Sequence, residues 1–331
     1  MTRDRSPRRL RRRDRNALIA AALTALSLTT SGCVVVHGER EVLPAATKSE
    51  ATHALGGFLS AYNKAQAAND GSLDASRETG ALEDIDGAKL TAAKKIEPGG
   101  NSAYTPMEFT DTKVTIPKKA GWPRWFVTDS ASNRDKNRWL LVFTRDTINS
   151  VWQVAYLTVL SPGDVPVFKK DADGYAEPVK ASDATLAVAP GKLPKAYATY
   201  LQKGGKAFAA GPFTTTIRTS RAATAAKPGL ARQYVDEPLT AGDYAPLGLR
   251  TKDGGALVFF ASRHYQKQTV AAGVNITITD ANIKALLSGD VKTSLTLETV
   301  ANQAVYDPAK GDTGSVEFLS RVSGLTGAKG Q

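Results

Sequence analysis

Cysteine and histidine are scarce in this 331-residue chain, with one and three copies. One cysteine excludes an intrachain disulfide and every zinc site needing two or more thiolates. The histidines are His37, His53 and His264, so a Ser-His-Asp triad within the folded part would have to use His53 or His264. There is no Gly-x-Ser-x-Gly elbow, no His-Glu-x-x-His and no Gly-x-Gly-x-x-Gly. Long apolar runs are also missing. The longest near the start, from Ala17 to Leu28, is too short to cross a hydrocarbon core of about 30 Å as a helix. Hydrophobic residues at 42 % and charged residues at 23 % belong to an ordinary globular chain, which excludes wholesale disorder and collagen.

The positive charge is unevenly placed. Residues 1–32 hold eight arginines against Asp4 and Asp14, a net of +6 out of the chain's +11. The other basic residues are scattered among acids, so no nucleic-acid-binding face is expected. An arginine-rich start, a short apolar run and then small residues is the layout of an export signal. The arginine pairs Arg8-Arg9 and Arg11-Arg12 suit general or twin-arginine export.

Beyond the leader, residues 33–48 read as a tether. Leu55, Phe58, Leu59 and Tyr62 have helical spacing and predict a helix over Glu50–Asn69, capped by Ser49 or Thr52. A second helix is expected over Ser72–Leu82 or beyond. The period then falls to two, giving strands over Phe109–Ile116, Trp122–Thr128, Arg138–Arg145 and Val151–Leu160, with Asp129–Lys136 as a loop. The pattern restarts with a helix over Pro194–Lys203 and a helical or irregular stretch over 209–232. Strands follow at Leu247–Arg250, Ala256–Tyr265, Gln268–Thr279, Val291–Val305 and Ser315–Val322, with a short helix Ala281–Ser288 capped by Asp280. The expectation is an α+β chain of two tandem domains, 49–180 and 181–331, each with helices followed by a curved antiparallel sheet.

Two resemblances add to this. Thr30-Ser31-Gly32 followed by the sole cysteine, Cys33, resembles the lipobox of bacterial lipoproteins, with threonine where leucine is usual. It implies cleavage before Cys33 and a thioether-linked diacylglycerol on its sulfur. Further acylation would then give stable anchoring, at ~0.8 kcal/mol per buried methylene. The order of elements is similar to cystatin-like and nuclear-transport-factor-like cone folds. The run from Leu249 to Phe260 (LRTKDGGALVFF) resembles segments of uncharacterised actinobacterial lipoproteins. That likeness implies a lipid-anchored cell-envelope protein and carries no catalytic residue with it.

Several local patterns echo known sites and have plainer readings. Gly204-Gly205-Lys206 lacks the first glycine and the hydroxyl of a phosphate loop and reads as a helix stop. Lys169–Gly174 places lysine where a calcium loop needs a carboxylate and reads as a hairpin turn. Asn275-Ile276-Thr277 matches a glycosylation sequon inside an expected strand. Trp139 and Trp152 fall in alternating apolar strands and read as core. Trp122 and Trp125, flanking Pro123-Arg124, are the candidate ligand-stacking pair.

The expected protein is thus exported and held by a lipid on Cys33 to the outer face of the plasma membrane. It is a non-enzymatic binding or accessory module for a cell-wall or envelope-protein ligand, without cofactor or metal. A hydrolase using carboxylates or His264 in a sheet concavity, and a structural spacer, are the alternatives. Intact-mass measurement on a membrane fraction should show loss of residues 1–32 and gain of a diacylglycerol. Cys33→Ala should abolish both.

Overall fold

The computed structural model describes residues 41–331; Cys33 and the Thr30-Ser31-Gly32 segment lie outside the described residues. Among the described residues no helix is long and apolar enough to cross a membrane.

Helix α1 (Lys48–Ala68) begins at a capping box. The Thr47 hydroxyl accepts from the Glu50 N–H at 3.1 Å, and the Glu50 carboxylate accepts from the Thr47 N–H at 2.7 Å. Thr47, not Ser49 or Thr52, is therefore the cap, because the acid three residues ahead completes the reciprocal pair. The last residues of the expected tether are not free. Leu43–Pro44 (β1) pairs with Lys118–Lys119 (β3), and Ala45 and Ala46 are buried.

The helix expected over Ser72–Leu82 is replaced by 3-10 turns at Gly71–Leu73 and Ala75–Arg77, followed by α2 (Gly80–Ile96). Asp70 accepts from both the Ser72 N–H and its hydroxyl, a local bond that competes with helix continuation. Gly80 opens α2 at φ +58°, where a Cβ would lie 2.6 Å from the Asp243 carbonyl oxygen. The weak period of this stretch has a tertiary cause. Ala81 and Ile85 pack between the two main sheets, Leu82 joins the α1 cluster, and Leu90 lies against Gly71.

The first sheet is an antiparallel meander of β2 (Phe109–Thr115), β4 (Arg124–Ser132), β5 (Arg138–Arg145) and β6 (Gln153–Leu160). Strand β4 runs four residues further than expected, pairing through Asp129, Ser130 and Ala131 with β5, so the polar loop is shorter. Both faces of this sheet are buried. Phe126, Leu141, Phe143 and Val154 face α1, while Trp125, Val127, Leu140, Val142 and Tyr156 face the second sheet.

The second half opens with α3 (Leu193–Lys203) and α4 (Thr215–Thr224), followed by β7 (Ala226–Lys227), β8 (Leu230–Leu239), β9 (Leu247–Arg250) and β10 (Ala256–Val270). After α5 (Ala281–Leu286) come β11 (Leu287–Ser288), β12 (Ser294–Asp307) and β13 (Glu317–Gly330). The order across the sheet is β11-β13-β12-β10-β8-β7, antiparallel except for the two-residue β11. Strand β10 merges one expected strand with the start of the next. It pairs without interruption with β12, from Ala256 opposite Asp307 to Thr269 opposite Ser294, and on its other edge with β9 and then β8. Residues 271–280 are consequently not strand, and the Asn275 sequon lies outside any strand. Strand β8 was hidden in the sequence because its half-buried face carries the polar residues Arg232, Tyr234 and Asp236. Asp280 caps α5 as expected, accepting from the Asn282 and Ile283 N–H groups.

The fold is α+β, built as four layers: α1, the first sheet, the second sheet and α3. Leu257, Phe259, Ala261, Val300 and Ala304 of the second sheet meet the first sheet, while Val258, Phe260 and Val305 turn outward to Leu193, Tyr197 and Leu201 of α3. One apolar core therefore spans both halves of the chain. All four tryptophans lie between Trp122 and Trp152, so their fluorescence reports on the first half alone. Phe259→Ala, a lesion in the second half, should destabilise the protein by about 3–5 kcal/mol. It should shift the denaturant midpoint read by tryptophan; an unmoved midpoint would mean the halves unfold independently.

Candidate functional site

The outer face of the second sheet changes character along its length. Under α3 it is aromatic, with Tyr197, Phe208, Phe260 and Phe318 in edge and tilted contacts. Further along β10, period-two alternation puts Ser262, His264 and Gln266 on the same outward face. Register places Asp236 of β8 opposite His264 on one side and Thr299 of β12 on the other. Arg232 and Tyr234, four and two residues before Asp236, share its face. Helix α4 then crosses above and contributes Arg221, and β13 contributes Arg321.

These side chains make one connected network. Arg221 donates two parallel hydrogen bonds to the Asp236 carboxylate at 2.7 and 2.8 Å. Nδ1 of His264 is 2.6 Å from Asp236 Oδ1, and Nε2 is 2.9 Å from Ser262 Oγ. Gln303 completes it. Its amide donates to the carbonyls of Phe260 and Ala301, and its own carbonyl accepts from Ser262 at 2.7 Å. Burial alone would raise the Asp236 pKa, yet hydrogen bonds from His264 and Arg221 and the arginine charge hold it below the usual carboxylate value. Burial lowers the His264 pKa, and the positive charges of Arg321 and Arg221 act the same way, against the hydrogen bond to Asp236.

Asp236, His264 and Ser262 have the connectivity of a hydrolytic triad, but Ser262 lacks its setting. It is 0 % exposed, inside a paired strand, and its single proton is contested by the Gln303 carbonyl. A nucleophilic serine needs room for a substrate carbonyl and a proton free to move to the base.

Above the network lies a cleft of about 720 Å3, lined by Arg221, Arg232, Arg321, His264, Tyr234 and Thr299 among others, with no carboxylate residue in its wall. Asp236 already engages Arg221. Arg321 has no ion-pair partner among the described residues; it donates to the Ser323 hydroxyl at 3.0 Å, and its Nε is buried without an acceptor. Burial and the neighbouring Arg221 charge depress its pKa. A partly desolvated guanidinium with unused donors, beside two more arginines, has the chemistry to accept a negative group.

The residues singled out in the sequence are distributed differently. Trp125 is 2 % exposed and packs between the two sheets, so it has no ring face for a ligand. Trp122 is half-buried with the guanidiniums of Arg124 and Arg145 each 5.5 Å from its ring centre. The proposed stacking pair therefore splits into a core residue and an arginine-stacked one. Trp152 is core, as its alternation implies, whereas Trp139 is only partly buried and donates to Asp135. In the hairpin turn, Lys118 holds both Asp171 and Asp173, at 2.8 and 2.7 Å. His264 was noticed, but Asp236, Arg221 and Arg321 were not, since they come from three other elements. The one available signal was the period-two set Arg232, Tyr234, Asp236.

Because folding lowers the His264 pKa, the unfolded chain binds a proton near 6.5 that the native site resists. That part of the stability is present above this pH and is lost as pH falls below it. Thermal melts of the native protein and of His264→Gln, whose side chain does not titrate, should therefore converge on acidification below about 6.5. A gap that stays constant would show that folding leaves the proton affinity of His264 unchanged.

Comparison with other proteins places this architecture in a family. A Streptomyces avermitilis protein named "Uncharacterized lipoprotein" is 68 % identical over 332 residues, covering 100 % of both chains. A Streptomyces coelicolor protein, also named an uncharacterized lipoprotein, is 56 % identical with the same full coverage. A second protein of that species and description is 28 % identical over 356 residues, covering 98 % of this chain and 95 % of its own. No solved structure matches the chain. The family model described as a domain of unknown function, DUF8094, matches residues 42–330, nearly all of the described fold, and the chain belongs to that family.

Proposed function

We propose that this protein is a lipid-anchored, non-enzymatic binding module of the cell envelope that receives an anionic group in the arginine-lined cleft of its second sheet. The anchor is Cys33, after the basic and apolar leader and the Ser31-Gly32 pair. Its support is the sequence pattern together with the word "lipoprotein" in the names of full-length relatives. The outer face of the plasma membrane is the location this reading carries.

The observation behind the ligand class is Arg321. A guanidinium held partly away from water, with no carboxylate partner among the described residues, gains more from a bound anion than a solvated surface arginine would. Arg221 and Arg232 add charge, and Tyr234 offers a ring and hydroxyl at the rim. Cleft volume and lining suit a small organic anion or the terminal group of a larger envelope molecule. The non-enzymatic half rests on the burial of Ser262 and the engagement of its proton by Gln303.

Titration calorimetry on the detergent-solubilised full chain, with inorganic phosphate and with citrate as probes, tests this. At least one probe should bind, and Arg321→Gln should weaken it about tenfold or more, ~1.4 kcal/mol. Equal binding by the variant, or no binding of either probe, would remove the cleft from the proposal. Labelling of Ser262 by a fluorophosphonate would instead favour a hydrolase.

A further inference from the structure

The junction of α1 and α2 contains three acids that the cleft of the second sheet does not involve. Asp74 lies between the two 3-10 turns, Glu78 follows the second, and Asp86 is on α2. One carboxylate oxygen from each lies within 4.8 Å of the others. Their exposures are 2, 2 and 5 %.

Two of the three acids each keep an unpartnered buried oxygen. Oδ2 of Asp74 and Oε1 of Glu78 are buried without a hydrogen bond, and neither side chain has an ion pair among the described residues. Asp86 is different. It accepts from Gln66 Nε2 at 2.7 Å, and Lys89, on the rim, is 3.4 Å away. Lys89 also donates to Gln66 Oε1 at 2.6 Å, so Gln66 and Lys89 orient Asp86 and neutralise one charge. One oxygen of each remaining carboxylate is then buried without a donor, and neither has an ion pair of its own among the described residues. Such groups are rare in native structures and costly when ionised.

We propose that Asp74, Glu78 and Asp86 form a binding site for one hard divalent cation, calcium or magnesium. The available donors are all oxygen, which suits these ions and not zinc or copper. A cleft of about 730 Å3, lined by Asp74 and Glu78 along with Asn69 and Asp70, provides a path from solvent and room for water ligands. Without a cation, burial and the neighbouring Asp86 charge push the Asp74 carboxyl up to about 7 and the Glu78 carboxyl far above its ordinary value. A bound divalent ion would reverse that and leave the acids ionised. It would also join the loop between the two helices to α2. The adjoining Thr79 donates its N–H to Val154 of the first sheet and its hydroxyl to Asp243 near the second, so the ion would brace the point where both sheets meet the helices.

The test is calorimetric titration of CaCl2 and MgCl2 into the full chain, solubilised in detergent and stripped with EDTA, paired with thermal melts. The expected result is one equivalent of ion per chain and a melting temperature raised by the ion and restored by EDTA. Glu78→Gln and Asp74→Asn should lose the binding. The melt of each variant in EDTA shows whether it is folded. No binding of either ion by the native chain at millimolar concentration, with the infrared carbonyl band of protonated carboxyls present at neutral pH, would overturn the proposal, since protons would then occupy the site. Binding that survives in both folded variants would overturn it equally.

Discussion

Burial of one sheet against another is the constraint from which the rest of the structure follows. Trp125, Val127, Leu140 and Val142 from the first half meet Leu257, Phe259 and Val300 from the second, and both sheets are committed to that contact on their inner faces. Their outer faces are apolar too, so each needs a helix as cover: α1 on the first, α3 on the second. This is why strands such as Leu140–Phe143 and Ala256–Ala261 read as continuous apolar runs. Antiparallel sheets open to water on one side show a cleaner alternation.

The cover on the second sheet is shorter than the sheet. Strand β10 has 15 residues, and at about 3.3 Å each it extends roughly 50 Å. Helix α3 has 11 residues and reaches only about 16 Å. The face turns polar at the edge of α3, where Tyr197 meets His264 edge-on at 6.4 Å between ring centres, and Ser262, Asp236 and Gln303 join it there. Helix α4, which has no fully buried residue, crosses there through Arg221 instead of through an apolar stripe. The cleft and its positive wall are thus products of a mismatch in length between a strand and its covering helix.

Buried charge is treated in three ways in this fold. Arg138 is shared between Asp129 and Asp111, with hydrogen bonds at 2.6 and 2.8 Å. Asp236 is enclosed by Arg221 and His264. Asp74 and Glu78 have neither arrangement. A buried ion pair contributes little net stability but is costly to break on one side, because the remaining charge stays desolvated. The first two sites therefore hold local geometry in place. The third, and Arg321 with its buried Nε, are where an external ion or ligand would change the energy most.

Much of the local structure was legible in the residues. The bounds Arg138–Arg145 and Leu247–Arg250 match the strands as read, and Asp280 caps its helix, because these features depend on side-chain period and on one polar contact a few residues away. The arginines, short apolar run and sole Cys33 of residues 1–33 are likewise a matter of linear order. Helix α2 was placed too early because its apolar residues divide among three neighbours, and β8 was missed because its half-buried face carries Arg232 and Asp236. The candidate sites were beyond reach for the same kind of reason. His264 meets Asp236 through strand register, Arg221 through a helix crossing and Gln303 through a second strand, and Trp125 was turned inward by a sheet that covers it. Sequence determined the helices and strands whose side-chain period is clean, such as Arg138–Arg145 and Leu247–Arg250. Tertiary structure decided which faces are buried and which charges meet, because those outcomes depend on contacts between residues tens to hundreds of positions apart.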